Sequence, residues 1–374
     1  MKKYFIFIIV ILYAKISFAN PNITNVSGII QHGNYITVSG SNFGEKTPAK
    51  PQIWCDFEDG TIDCSKTLSA GTPFRGGSHS NWTTDNPHSR SKRNIYTIPN
   101  TNNVKTASSF GIDANGATRF FGFARRKYPA KWWNYVVNHK TFYAHSTDMV
   151  KGQEIGYTWQ YHNFANSPNG PGQINFRADP GVPSIDYGFS NGKQMPNDGT
   201  WFIEEYEMKR SSAVNLQDGQ VKYWVNGSKY KTESVLDMTP DYPEKGYGQI
   251  ILDEYWQQFD DNGVVKGWPI NNGKVQYDDI YMDTTWSRVM IGNASTYDGC
   301  THREPLIPVE WSTTSIRAYF NQGSFSNQEN VYLFVVDSNG LTSNGYGIKI
   351  GGEYEKVGSS LVPPSAPINL IINK

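Results

Sequence analysis

The sequence predicts an all-β protein of about two domains. Three observations predict it. Apolar and polar residues alternate over short runs, which is the period of a half-buried strand, and no segment carries a sustained helical stripe. Clusters of Gly, Pro, Asn and Asp separate those runs, and 35 Gly and 20 Pro spread along 374 residues rule out a coiled coil. Aromatic residues make up 14% against 18% charged, so the chain has the ring area to build a core and is not composed like a disordered one.

The elements follow in chain order. Lys2 and Lys3, the apolar run from Tyr4 to Ala14 and the small-residue pattern Ser17-Phe18-Ala19 read as an export signal over 1–19, cleaved after Ala19. The run is too short to span a bilayer comfortably, Lys15 interrupts it, and no second apolar stretch follows. The mature chain is therefore expected to be secreted, periplasmic or displayed at the cell surface, with no membrane span; a retained membrane anchor is the alternative, which Lys15 argues against. Alternation then predicts strands at Tyr35–Ser39, Thr141–His145, Glu154–His162, Ile174–Arg177, Trp201–Lys209, Val221–Val225, Gly248–Asp253, Val275–Tyr281, Ser315–Phe320 and Val331–Val336. The Pro-rich end, 354–374, reads as an extended tail.

Charge and cysteine usage narrow the function. Lys+Arg and Asp+Glu are both 34, so there is no basic excess to neutralise a nucleic-acid backbone. Cys55, Cys64 and Cys300 are an odd set for an exported chain. Cys55 with Cys64 would close a short loop, and either with Cys300 would tie distant segments. No Cys/His spacing of a zinc site is present.

Two resemblances interlock. Pro21-Asn-Ile-Thr-Asn-Val-Ser-Gly28 followed by Tyr35-Ile-Thr-Val-Ser-Gly-Ser-Asn-Phe-Gly44 resembles the opening of an IPT/TIG domain, an immunoglobulin-like β-sandwich. Arg288–Asn293, Ile307–Trp311 and Val331–Asp337 with Ser338-Asn-Gly340 resemble its later strands. The implied domain is split, over 20–50 and 288–353, and a second domain occupies 51–287. That second stretch opens Ile53-Trp-Cys-Asp-Phe-Glu-Asp-Gly60 and closes Val275-Gln-Tyr-Asp-Asp-Ile-Tyr-Met-Asp283. In between come Trp201-Phe-Ile-Glu-Glu-Tyr-Glu-Met-Lys209 and Asp218-Gly-Gln-Val-Lys-Tyr-Trp-Val-Asn-Gly227. It resembles the concanavalin A-like jelly roll shared by legume-type lectins, laminarinase-type glycosidases and several polysaccharide lyases. The resemblance implies a fold that hosts binders and enzymes alike.

Strand parity selects the candidate site. On the Glu154 strand, Gln160 and His162 oppose Tyr157, Trp159 and Tyr161. On the next, Asn175 and Arg177 oppose Ile174 and Phe176. On the Trp201 strand, Glu205, Glu207 and Lys209 oppose Phe202, Tyr206 and Met208. On the hairpin strand, Lys222, Trp224 and Asn226 oppose Val221, Tyr223 and Val225. His139, Tyr143 and His145 fall on one face of theirs. Indoles stack on pyranose faces, and planar polar groups fork onto hydroxyls or uronate carboxylates, so these outward sets suit a polysaccharide.

Expected substrate-binding residues are Gln160, Asn175, Lys209, Trp224, Asn226 and His145. Expected catalytic residues are His139, Tyr143, His162, Arg177, Glu205 and Glu207. Binding of an acidic glycan with β-elimination is one reading. It needs a cation or amide at the carboxylate, a base for the C5 proton and an acid for the leaving oxygen. Gln160-Tyr161-His162 has the Gln-x-His form found in lyases. Non-catalytic carbohydrate binding or surface adhesion is another. Hydrolysis is a third, with Glu205 and Glu207 two residues apart at roughly 6.5–7 Å between Cα atoms. Glu58, Asp59, Asp278 and Asp279 are expected metal ligands for a structural Ca²⁺, since hard oxygens on adjacent strands suit it. The chain is expected to act as a monomer.

Overall fold

The computed structural model describes residues 19–60, 80–97, 110–132, 138–146, 157–163, 173–179, 185–236, 246–257 and 274–352. The signal segment up to residue 18, Cys64, residues 154–156 and the tail from 353 lie outside the described residues. The described chain is all-β apart from short 3-10 turns such as Tyr297–Gly299. Each strand expected from alternation forms, with ends moved by a few residues. No helix among the described residues is long and apolar enough to cross a membrane.

Two antiparallel sheets face each other in the larger sandwich. One has six strands in the order β11 (Ile185–Gln194), β10 (Gln173–Asp179), β9 (Tyr157–Asn163), β8 (Asn138–Ser146), β15 (Tyr247–Gln257) and β6 (Phe110–Ala117). The other has eight. Its main path runs β14 (Ser228–Val235), β13 (Gly219–Val225), β12 (Trp201–Lys209), β7 (Arg119–Lys127), β16 (Val275–Asp283), β5 (Asn94–Thr97) and β4 (Ser80–Thr83), with β3 (Ile53–Cys55) also paired to β16. Their inner faces meet around Ile112, Ala144, Ile250 and Leu252 from the first sheet and Phe120, Phe202, Tyr206, Tyr223 and Ile280 from the second. Cys55 is disulfide-bonded, and Cys300 is a buried free thiol.

The smaller sandwich draws on both ends of the chain. β2 (Tyr35–Ser41) pairs with β1 (Asn22–Gly28) on one side and with β19 (Ser315–Tyr319) on the other. β18 (Arg303–Trp311) joins β19 through its second half and β17 (Arg288–Gly292) through its first. β20 (Asn330–Val336) and β21 (Tyr346–Lys349) complete the order. Val26, Ile36 and Val38 share one core with Val289, Ile291, Leu306, Ile316, Leu333 and Val335.

The eight-stranded sheet is covered on both faces. Its outer face packs Phe121, Phe123, Ile203 and Tyr281 on Met290, Ile307, Phe334 and Val336 of the smaller sandwich. This is why β7, β12 and β16 are buried almost end to end instead of alternately. Ion pairs stud the same interface. Arg303 Nη2 lies 2.8 Å from Glu205, Arg288 Nη2 2.6 Å from Glu207, and Lys46 Nζ 2.8 Å from Asp283. Arg125 reaches from β7 to Glu304 on β18 and, at 2.8 Å, to Asp279.

The β13–β14 hairpin turns through Asn226 and Gly227, both at positive φ (46° and 68°), as an Asn-Gly hairpin requires. Its tip presses on the smaller sandwich: a Cβ on Gly227 would lie 2.5 Å from the carbonyl carbon of Thr301. Gly227→Ala is therefore expected to destabilise the protein by about 1–3 kcal/mol through overpacking alone, read as a fall in the chemical-denaturation midpoint at constant slope.

Buried acids give the interface a pH dependence. Burial pushes the Asp283 carboxyl up to about 6, against the pull of Lys46. A carboxyl whose folded value is raised contributes stability below its ordinary value and loses it as pH rises through about 6. Glu207 and Glu304 run the other way. Burial raises them, but Arg288 and Lys222 on one and Arg125 on the other more than offset it, so both sit below the ordinary range. Their stabilisation is lost only as pH falls below that range. Between pH 5 and 7.5 the Asp283 contribution therefore falls by on the order of 1 kcal/mol. Burial lowers His32, which works in the opposite direction over part of this window. The measurement is thus a comparison with Asp283→Asn: the stability gap between wild type and variant should shift toward wild type by that amount at pH 5.

Candidate functional site

The six-stranded sheet has one face on the core and one turned away from it, and register assigns its residues to each. Ala144 and Ile250 are paired across β8 and β15 and belong to the core. Ala144 also pairs with Thr158, and β9 meets β10 without irregularity from Tyr157 to Asn163. Thr158, Gln160 and His162 thus share the core-side parity, and so do their partners Ile174 and Phe176.

The other parity builds two rows across the sheet. Ile251, Tyr143, Trp159, Arg177 and Asp186 are successive partners on β15, β8, β9, β10 and β11. Tyr255, Lys140, Tyr161, Asn175 and Phe189 form the second row. His145, opposite Gln249, extends the same face beside Tyr143. Adjacent strands are about 4.8 Å apart, so Tyr143 and Arg177 flank Trp159 at a separation of roughly 10 Å.

This arrangement corrects the expected grouping. Asn175 and Arg177 were expected beside Gln160 and His162, but Asn175 pairs with Tyr161, and Gln160 with Phe176. The two polar sets lie on opposite faces. His139 was expected beside Tyr143 and His145. A register irregularity between Lys140 and Tyr143 moves it to the face of its partner His162 and brings Lys140 round instead. Lys140, Trp159, Tyr161 and Asp186 are residues of this face that sequence reasoning did not select as site residues. Trp159 and Tyr161 are visible in the sequence as a stripe, and register gives them the parity of Arg177 and Asn175.

The residues expected from the other sheet do not join this face. Glu205, Glu207, Lys209 and Trp224 have the expected parity, opposite Phe202, Tyr206 and Met208. That side, however, meets the smaller sandwich. Glu205 accepts from Arg303 at 2.8–3.2 Å and from Tyr297 at 3.3 Å. Glu207 is held by Arg288 and by Lys222 at 2.8 Å. Two carboxylates pinned by arginines and shut from water cannot serve as acid and base of a hydrolase. Trp224 is 3% exposed, with Arg303 and Lys229 each 5.7 Å from its ring centre. Lys209 donates to the Asp218 carbonyl at 3.3 Å. Asn226 is a turn residue whose Oδ1 accepts from Ile203 N at 2.9 Å.

Of the expected calcium ligands, Asp279, Asp278 and Glu58 have partners within the protein. Asp279 bonds Arg125 and His88, at 2.8 and 3.0 Å. Asp278 accepts from Ser91 Oγ at 2.7 Å, and Glu58 accepts from the backbone N–H of Lys92 at 2.7 Å. Among the described residues no group of three or more His, Cys, Asp or Glu is placed to hold a metal ion.

A Ser–His–Glu grouping does occur on the smaller sandwich, and it is not a triad. His302 Nε2 contacts both Ser324 Oγ, at 2.9 Å, and Glu304 Oε1, at 2.6 Å. A catalytic relay needs the serine and the acid on different ring nitrogens. Glu304 is moreover engaged by Arg125.

No family model and no curated protein matches the chain. Solved structures similar to it include an endo-β-1,4-glucuronan lyase from the fungus Trichoderma reesei, with 16% identity and a TM-score of 0.39, over 63% of this chain and 96% of that one. Alginate lyase vAL-1 from a Chlorella virus has 16% identity and a TM-score of 0.35, over 55% and 88%. The β-glucanase of Bacillus licheniformis has 11% identity and a TM-score of 0.31, over 67% and 96%. At such scores none of them assigns a function to this chain.

Proposed function

We propose that the protein is an exported enzyme that binds an acidic polysaccharide on the outer face of the six-stranded sheet and cleaves it by β-elimination. The observation that carries this reading is the row Tyr143–Trp159–Arg177–Asp186, with Asn175, Tyr161, Lys140 and His145 on the same face. These positions share one register parity, and the residue types they carry are aromatic, cationic, amide and proton-transferring. Arg177 and Asn175 are the groups to neutralise a uronate carboxylate, which makes the C5 proton acidic. Tyr143 or His145 takes that proton. The electron pair forms the C4–C5 double bond, the C4–oxygen bond breaks, and the leaving oxygen is protonated by the other of the two or by water. Trp159 and Tyr161 are the platforms for the sugar rings.

The smaller sandwich we read as an IPT/TIG-like platform interrupted by the larger one. Its support is the pairing of β2 with β19 and the single core that 22–41 and 288–349 share.

The test is to incubate the mature chain with a panel of polyuronates and follow both the ultraviolet absorbance of unsaturated ends and the release of reducing ends. Unsaturated product supports elimination. Reducing ends without it overturn elimination in favour of hydrolysis, and retention on the polymer with neither overturns the enzymatic part in favour of binding alone. A chain that is neither retained nor active on any of them overturns the glycan reading altogether.

A further inference from the structure

We infer that the cleft between the two sandwiches is a second saccharide site, which takes an acidic sugar residue on the side of the molecule away from the six-stranded sheet. The inference deepens the proposed function, since it rests on the same class of polymer. The cleft has a volume of about 300 Å³ and is walled by Lys222, Trp224 and Lys229 of the larger sandwich and by Asp298, Thr342 and Asn344 of the smaller. That is the low end of small-ligand pockets, which run from roughly 300 to 1,000 Å³.

Three features of the wall favour a charged sugar. The first is its chemistry: hydroxyls, an amide, ammoniums and carboxylates surround an indole, a mixture that matches a polyol and would leave an apolar ligand without compensation. The second is rigidity. Trp224 is fixed from one side by Arg303, and Lys222 is held both by Glu207 and over the ring of Trp286 at 5.1 Å. A preorganised wall reduces the ordering cost of binding. The third is charge. Glu207 is shared by two cations, Arg288 and Lys222, so one positive charge beside the cleft is left over. Among the described residues Lys229 pairs with Asp298, whose side chain is 70% exposed, and such a surface pair is weak and readily exchanged for a ligand carboxylate.

Calorimetric titration of the full mature chain with a uronic-acid tetrasaccharide tests the site. Two binding events per chain are expected, titrated in a Tyr143→Phe/His145→Gln background that lacks both proton-transferring groups, with product formation assayed separately in the chain that keeps them. Lys229→Gln and Asn344→Trp alter exposed side chains at the cleft, so the fold is expected to stand. Each should weaken one event at least tenfold and leave unsaturated-product formation intact, whereas Arg177→Ala should remove the other event. A wild-type stoichiometry of one that Arg177→Ala abolishes overturns the second site and keeps the proposed function. Binding that only the cleft variants weaken overturns the proposed function and keeps the second site. Displacement of the tetrasaccharide by an equal concentration of inorganic phosphate also overturns the inference, since the cleft would then hold anions without reading the sugar.

Discussion

Replacing Glu205 by alanine is expected to unfold the protein rather than to slow it. Glu205 is 1% exposed and gives both oxygens to Arg303, which is itself fully buried and also donates to the backbone carbonyl of Tyr297 at 2.9 Å. Removing the carboxylate strands a guanidinium that cannot lose its proton: burial presses it toward the neutral form, and Glu205 with Tyr297 holds it charged. Breaking such a pair from one side costs about 3–5 kcal/mol, whereas replacing both partners with apolar residues of similar volume is often close to neutral. Thermal unfolding of Glu205→Ala, Arg303→Met and the double variant Glu205→Met/Arg303→Met checks this. Both single variants should melt far below wild type and the double variant should recover much of the loss. A Glu205→Ala protein as stable as wild type but devoid of glycan cleavage would reverse the assignment and return Glu205 to the chemistry.

Arg177→Ala should lower elimination by about 10²–10³, the cost of deleting one donor aimed at developing negative charge. Its thermal stability should stay near that of wild type. His162→Ala should do the reverse, since register gives His162 the parity of the core. It should lose stability and keep the turnover number of whatever fraction stays folded. The same register predicts that Trp159→Ala raises KM more than it lowers kcat, because a stacking platform holds ground state and transition state alike. If His162→Ala instead abolished turnover at unchanged melting temperature, the faces of β9 would be the other way round and the proposed site would collapse with them.

The strands themselves were legible because alternation is local. Trp201–Lys209 forms with the expected bounds, and Phe202, Tyr206 and Met208 face the core as parity required. The outer side of that strand was not legible. Parity separates two faces of a strand but does not say what covers each. Glu205 and Glu207 look like a wet face until Arg303 and Arg288, far along the chain, are folded onto them. The six-stranded face failed for two other reasons. On β9 both parities carry groups that suit either side, so composition does not say which of Trp159 or Gln160 shares the parity of Arg177. On β8 an irregularity between Lys140 and Tyr143 moves His139 off the parity of Tyr143, and no composition marks it in that segment. Asn226 was misread although its signal was plain, since Asn-Gly between two alternating runs is a hairpin turn before it is a ligand for sugar.

The pairing of β2 with β19 has a consequence for biosynthesis. At about 5–20 residues per second, β2 leaves the ribosome roughly a quarter of a minute to one minute before β19 exists to pair with it. Through that interval its free edge is open to other nascent chains. The larger sandwich can collapse meanwhile, since its described strands all fall between Ile53 and Asp283, and the waiting hairpin would then be captured last.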